Sequence, residues 1–91
     1  MKVLVKNLKG TADHLPPSGY SSWEEYWTRK TGRRFSNCAC LNCNFRAEVG
    51  GHVKKVNGGA EWYITPLCSS CNHYTNDEPF YVDSADLVPA R

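Results

Sequence analysis

Cysteine placement constrains this chain more than any other feature. All five cysteines lie between residues 38 and 71: Cys38, Cys40 and Cys43 in one group, Cys68 and Cys71 in a second. An odd number of thiols argues against a secreted disulfide framework. The opening Met1-Lys2-Val3-Leu4-Val5-Lys6 is too short and too charged for a secretory signal, so reduced cysteines in a cytoplasmic setting are expected. A C-x2-C turn brings two thiolates onto one edge of a tetrahedron, with metal–sulfur distances of about 2.3 Å, and a second pair completes the shell. On this reading Cys43, Cys68 and Cys71 are zinc ligands. The fourth is Cys40, through a C-x2-C turn, or Cys38, through a C-x4-C turn. Four thiolates leave no open position for water, so one Zn²⁺ per chain would be structural.

The rest of the composition sets the frame. A chain of 91 residues is expected to form one small domain, 1–91, whose core is small enough to need a metal staple. With 41% hydrophobic and 22% charged residues it has ordinary globular usage. No apolar run approaches the roughly 20 residues of a membrane span. The net charge of +2 is uneven: residues 1–34 carry seven Lys/Arg against three Asp/Glu, and residues 35–91 four against six. That bias is compatible with nucleic acid as a partner.

Along the chain, Lys2 to Lys6 alternates charged and apolar residues and reads as a strand. Gly10 to Tyr20 reads as loop. Ser22-Trp23-Glu24-Glu25 has capping-box spacing and opens a helix that Gly32 ends, with Trp23, Tyr26, Trp27 and Lys30 on one face. The tryptophans on that face are read as core packing. His52–Val56 and Glu61–Thr65 read as the strands of a hairpin joined by Asn57-Gly58-Gly59-Ala60, residues that accept positive φ; Pro66 ends the second. A short helix is expected from Cys71 to about Asn76, then a strand at Phe80-Tyr81-Val82 and a tail, 83–91, that frays. The fold class is therefore α+β: a small zinc-stabilised ββα or treble-clef core over 35–82, with an N-terminal strand and an amphipathic helix in 1–34.

The string Gly50-Gly51-His52-Val53, followed by Trp62-Tyr63-Ile64-Thr65-Pro66-Leu67-Cys68-Ser69-Ser70-Cys71-Asn72, resembles the HNH endonuclease superfamily. Within it, the chain looks like the subgroup whose ββα unit carries a four-cysteine zinc. The resemblance covers about Cys38 to Asn76 and favours Cys38 as the fourth ligand, with Asn42 as the turn residue before the second cysteine. It implies a ββα unit lying across a DNA phosphodiester. His52 would be the general base, Asn72 would hold the motif helix or the catalytic metal, and Mg²⁺ would bridge the scissile phosphate. Imidazole, titrating at about pH 6.5, suits the first role. Gly51 stands where active members carry an acid, and Tyr63 where they carry an asparagine, so the site is short of Mg²⁺ ligands.

Three functions follow as expectations. The first is a zinc-binding, HNH-like nucleic-acid-binding protein with weak or lost phosphodiester cleavage. The second is a structural or protein-binding zinc module using Trp23, Trp27, Trp62 and Tyr63. The third is an active Mg²⁺-dependent nuclease using His52, with carboxylates drawn from Asp77, Glu78, Asp83 or Asp86, or with His73 as a substitute ligand. His14 carries no signal. Arg33, Arg34, Arg46, Lys54 and Lys55 are candidate phosphate contacts, with Lys54 and Lys55 on opposite faces. DNA or another nucleic acid and a protein are the candidate partners. No membrane association is expected, and the chain is expected to be a monomer.

Overall fold

The computed structural model describes residues 1–8, 15–41, 43–73 and 78–90. Five strands and one helix make an α+β fold: β1 (Lys2–Asn7), α1 (Trp23–Thr31), β2 (Val49–Lys55), β3 (Trp62–Leu67), β4 (Phe80–Asp83) and β5 (Val88–Pro89). The strands form one antiparallel sheet in the order β4-β1-β2-β3-β5.

Alternation along the strands sorts side chains onto two faces. Val5, Val53, Leu67 and Val82 point to one face and are buried there with Cys38, Ala39 and Cys68. Ile64 and Val88 point to the other, under Tyr26 and Trp27 of α1. The sheet is strongly curled round the first face. The Ala39 amide donates to the Pro66 carbonyl at 2.7 Å, and the Leu41 amide donates to the Tyr81 carbonyl at 3.0 Å. Segment 39–41 thus joins the free edge of β4 to the stretch of β3's outer edge that β5 leaves open, although β1 and β2 lie between those strands in the sheet. Its apolar inner layer is the cysteine-rich core.

The helix forms as its capping signals predict. Ser22 Oγ accepts from the Glu25 amide at 3.1 Å, and Glu25 Oε1 accepts from the Ser21 amide at 2.8 Å. Gly32, at φ 70°, ends the helix in the left-handed region. Of the two tryptophans expected in the core, Trp27 is buried beside Tyr26, and Trp23 is half-buried against the same cluster.

Several boundaries differ from expectation. Strand β2 begins at Val49, so His52 lies mid-strand opposite Ile64 rather than at its start. Pro66 does not end β3. It sits inside the strand, opposite Gly50, with its carbonyl turned to the outer edge and bonded to Ala39, so its missing N–H disturbs no ladder bond. Neither Gly58 nor Gly59 takes a positive φ, because the loop between β2 and β3 is longer than a two-residue turn. Residues 69–72 form turns, and the rest of the helix expected to Asn76 lies outside the described residues.

The tail expected to fray is tied down as far as Ala90. A 3-10 turn at Ser84–Asp86 leads into β5, which pairs with Tyr63 and Ile64. Tyr26 Oη donates to the Pro89 carbonyl at 2.7 Å and Trp27 Nε1 to the Asp86 carbonyl at 2.9 Å. Among the described residues no helix is long and apolar enough to cross a membrane.

Candidate metal centre

Two short segments build the site. The first is a small loop closed by the isolated bridge Asn37↔Arg46, with the Cys38 amide donating to the Phe45 carbonyl at 3.0 Å and the Cys43 amide to the Cys40 carbonyl at 3.0 Å. The second begins where β3 ends: Cys68 follows Leu67 directly, and the Asn72 amide donates to the Cys68 carbonyl at 3.0 Å. Because segment 39–41 is fastened to β3 and β4, the first loop is pressed against the second over the inner face of the sheet.

The result is a cluster of four sulfurs. The Sγ atoms of Cys38, Cys43, Cys68 and Cys71 all lie within 4.8 Å of one another, with Cys38 and Cys68 buried. Those of Cys43 and Cys68 are 3.6 Å apart. Metal–sulfur bonds of about 2.3 Å in a tetrahedron give an edge of about 3.8 Å, so this separation suits a shared ion. The Cys71 amide points at Cys68 Sγ, 3.5 Å away, the kind of N–H···S contact that steadies a thiolate ligand. Cys40 is half-buried nearby and falls outside the group. Asn42, expected as the turn residue, lies outside the described residues.

Electrostatics point the same way. Burial pushes the Cys38 thiol up to about 11. Burial also raises Cys71 strongly, helped by its hydrogen bond with Cys68 and by the nearby Cys38. Cys68 is buried too, but the Cys71 amide and the thiols of Cys43, Cys71 and Cys38 outweigh that and lower it. A cation at the centre of the cluster would favour all four as thiolates. The arrangement is suited to holding a metal ion.

Two further residues brace the site and carry no cysteine-like signal in the sequence. Asn7 Nδ2 donates to the Cys71 carbonyl at 2.6 Å, fastening the second segment to β1. Glu48 Oε1 accepts from the Ser69 amide at 3.1 Å, a bond that holds its carboxyl below the ordinary range.

The remaining candidates are dispersed. His52 is only 7% exposed and lies on the α1 side of the sheet. Its ring is edge-on to Trp23 at 4.9 Å and to Trp62 at 6.1 Å between centroids. Asn72 lies on the opposite face, its Oδ1 beside Gly51. The pair expected to act together is thus separated by the sheet, and a base wrapped in tryptophan has no open approach for a phosphodiester. The physical reason is alternation: with Val53 and Gly51 turned to the inner face, His52 between them must face α1, and Asn72 lies against Gly51. Trp23, Trp27, Trp62 and Tyr63 likewise do not form one surface: Trp27 is 3% exposed, and Trp62 and Tyr63 point to opposite faces.

Asp86 pairs with Arg33 at 2.8 Å, and Asp83 accepts from the Ala85 amide and the N-terminus, so both carboxylates are used near the tail. Glu78 and His73 are exposed, and His14 and Asp77 lie outside the described residues. Comparison with protein-family models, with curated proteins and with solved structures finds no match. The thiolate cluster therefore carries the functional reading.

Proposed function

We infer that this chain is a zinc-binding module in which a single Zn²⁺, held by Cys38, Cys43, Cys68 and Cys71, is structural. The observation that carries the reading is the convergence of four sulfurs from two separate segments onto one point. An all-thiolate tetrahedral set suits zinc among the divalent ions and leaves no position for a reacting water. The ion would bind the 38–43 loop to the end of β3 and so keep the curled sheet closed.

The string from Gly50 to Asn72 supports an HNH-type ancestry in which the hairpin and zinc persist without a cleavage centre. Gly51 and Tyr63 stand where the acid and the asparagine would be. Cβ contacts explain the first: a side chain at residue 51 would meet Leu67 Cδ1 at 2.5 Å and Asn72 Oδ1 at 2.7 Å.

Two measurements test this. Elemental analysis with far-UV circular dichroism should show zinc in the folded protein, and loss of the fold on complete chelation. Plasmid incubated with the zinc-loaded protein and Mg²⁺ or Mn²⁺ should remain intact. Survival of the fold without metal would remove the structural role, and nicking that His52→Ala abolishes would restore the nuclease.

A further inference from the structure

The outer face of the curled sheet is covered unevenly. Helix α1 packs on β2, β3 and β5, leaving Lys2, Lys6 and Tyr81 exposed on the β4–β1 side. Strand register then places two lysines in a cross-strand pair: Lys6 of β1 is directly opposite Lys54 of β2, on the same outer face. Like charges in that relation are unfavourable. Among the described residues neither has a carboxylate partner. Folding alone does not call for this pair.

Aromatic rings flank these cations. Trp62 of β3, half-exposed, is opposite Lys54 in register, which makes a row of Lys6, Lys54 and Trp62 across three adjacent strands. One row along, Tyr81 is opposite Leu4, 44% exposed, with the Lys2 ammonium 4.9 Å from its ring centre. An open groove of about 350 Å³ runs beside this ring, between Lys2 and Leu4 on one side and Lys55 and Gly58 on the other. Lys2 and Lys6, four residues apart on β1, are about 14 Å apart along the strand, and neighbouring strands are about 4.8 Å apart. The face therefore offers Lys2, Lys6 and Lys54 with the Tyr81 and Trp62 rings among them, and its one carboxylate in these strands, Asp83 opposite Lys2, is taken by the N-terminal ammonium.

We propose that the β4–β1–β2 outer face binds single-stranded nucleic acid, its phosphates on Lys2, Lys6 and Lys54 and an unpaired base on Tyr81. The cations fit a polyanion. The exposed ring selects a single strand, because duplex bases are stacked on one another and offer no free face. This surface is separate from the cysteine cluster, which lies on the inner face, so the proposal stands independently of which metal is bound.

The test uses the full, reduced, zinc-loaded chain and fluorescence anisotropy with a short labelled oligothymidylate and oligouridylate. Binding should weaken linearly in log–log form with salt, with a slope of about −2 for three phosphates neutralised on a single strand. The double variant Lys6→Glu/Lys54→Glu should weaken binding at least about tenfold and flatten the slope. Tyr81→Ala should weaken it by roughly tenfold while leaving the slope unchanged. Lys6→Gln/Lys54→Gln serves if the reversed charges disturb folding, and zinc content measured on each sample separates loss of binding from loss of the metal site. The proposal is overturned by absence of oligonucleotide binding at low salt, or by binding indifferent to the lysine substitutions. It is equally overturned if phosphatidylserine vesicles bind through these lysines while oligonucleotides do not.

Discussion

At residue 51 the space for a side chain is already filled, by Leu67 and the Asn72 amide; at residue 50 it is filled by Trp23, whose Cβ would lie 2.8 Å from an added one. Gly51→Asp, which would supply the acid of an active HNH centre, should lower stability by about 1–3 kcal/mol in urea unfolding and create no cleavage; an unchanged midpoint would show that the site yields freely. Thr65 is the opposite case. Its hydroxyl is fully buried and has no hydrogen-bond partner among the described residues, so Thr65→Val should raise stability by about 1 kcal/mol; a loss instead would reveal a bond from that hydroxyl.

The cysteines respond to pH in two senses. Without metal, Cys38 and Cys71 are held as thiols at neutral pH, so zinc must expel at least these two protons. Zinc affinity should then fall by at least about a hundredfold per unit of acidification near neutrality, measured by chelator competition; a flat profile would contradict the buried cluster. For the metal-free chain the sign reverses. The Cys38 contribution to stability is fully present below the ordinary thiol value of 9.0 and is lost as pH rises through about 11.

Among elements, α1 was legible because its signals are local: a Ser22 cap, a Gly32 stop and one aromatic face. What covers that face was not. Trp27 and Tyr26 are anchored to the carbonyls of Asp86 and Pro89, residues about sixty positions away whose own text resembles an unstructured tail. Trp27→Phe removes one of these bonds and leaves the Asp86 carbonyl without its donor, which should cost about 1–3 kcal/mol and speed amide exchange in β5; unchanged exchange there would mean the tail is held by other contacts. The hairpin was legible from its two strand-like runs, but not its length: the sequence suggests a first strand starting at His52, whereas Gly50 and Gly51, packed closely against Trp23 and Leu67, also belong to it. His52, expected at the start of that strand, lies inside it on the tryptophan-lined face. The Lys6–Lys54 juxtaposition also belongs to register. Lys54→Glu should stabilise the free protein by roughly 0.2–1 kcal/mol by converting a like pair into an opposite one.

For the molecule as a whole, the cysteine spacing pointed to a cluster that could hold a metal, because paired thiolates suit a tetrahedral ion. It did not say how the pairs meet. That depends on segment 39–41 bridging β3 and β4, an arrangement made by two backbone hydrogen bonds and so invisible in side-chain identity. Cys40, in the middle of that bridge, stays outside the group of four sulfurs. Native mass spectrometry of the reduced protein, with thiol alkylation mapped before and after chelation, tests the central claim most directly. One zinc per chain, with Cys40 alone alkylated until the metal is removed, is the predicted result. No bound metal in fully reduced protein, or Cys38 alkylated while Cys40 is protected, would contradict it.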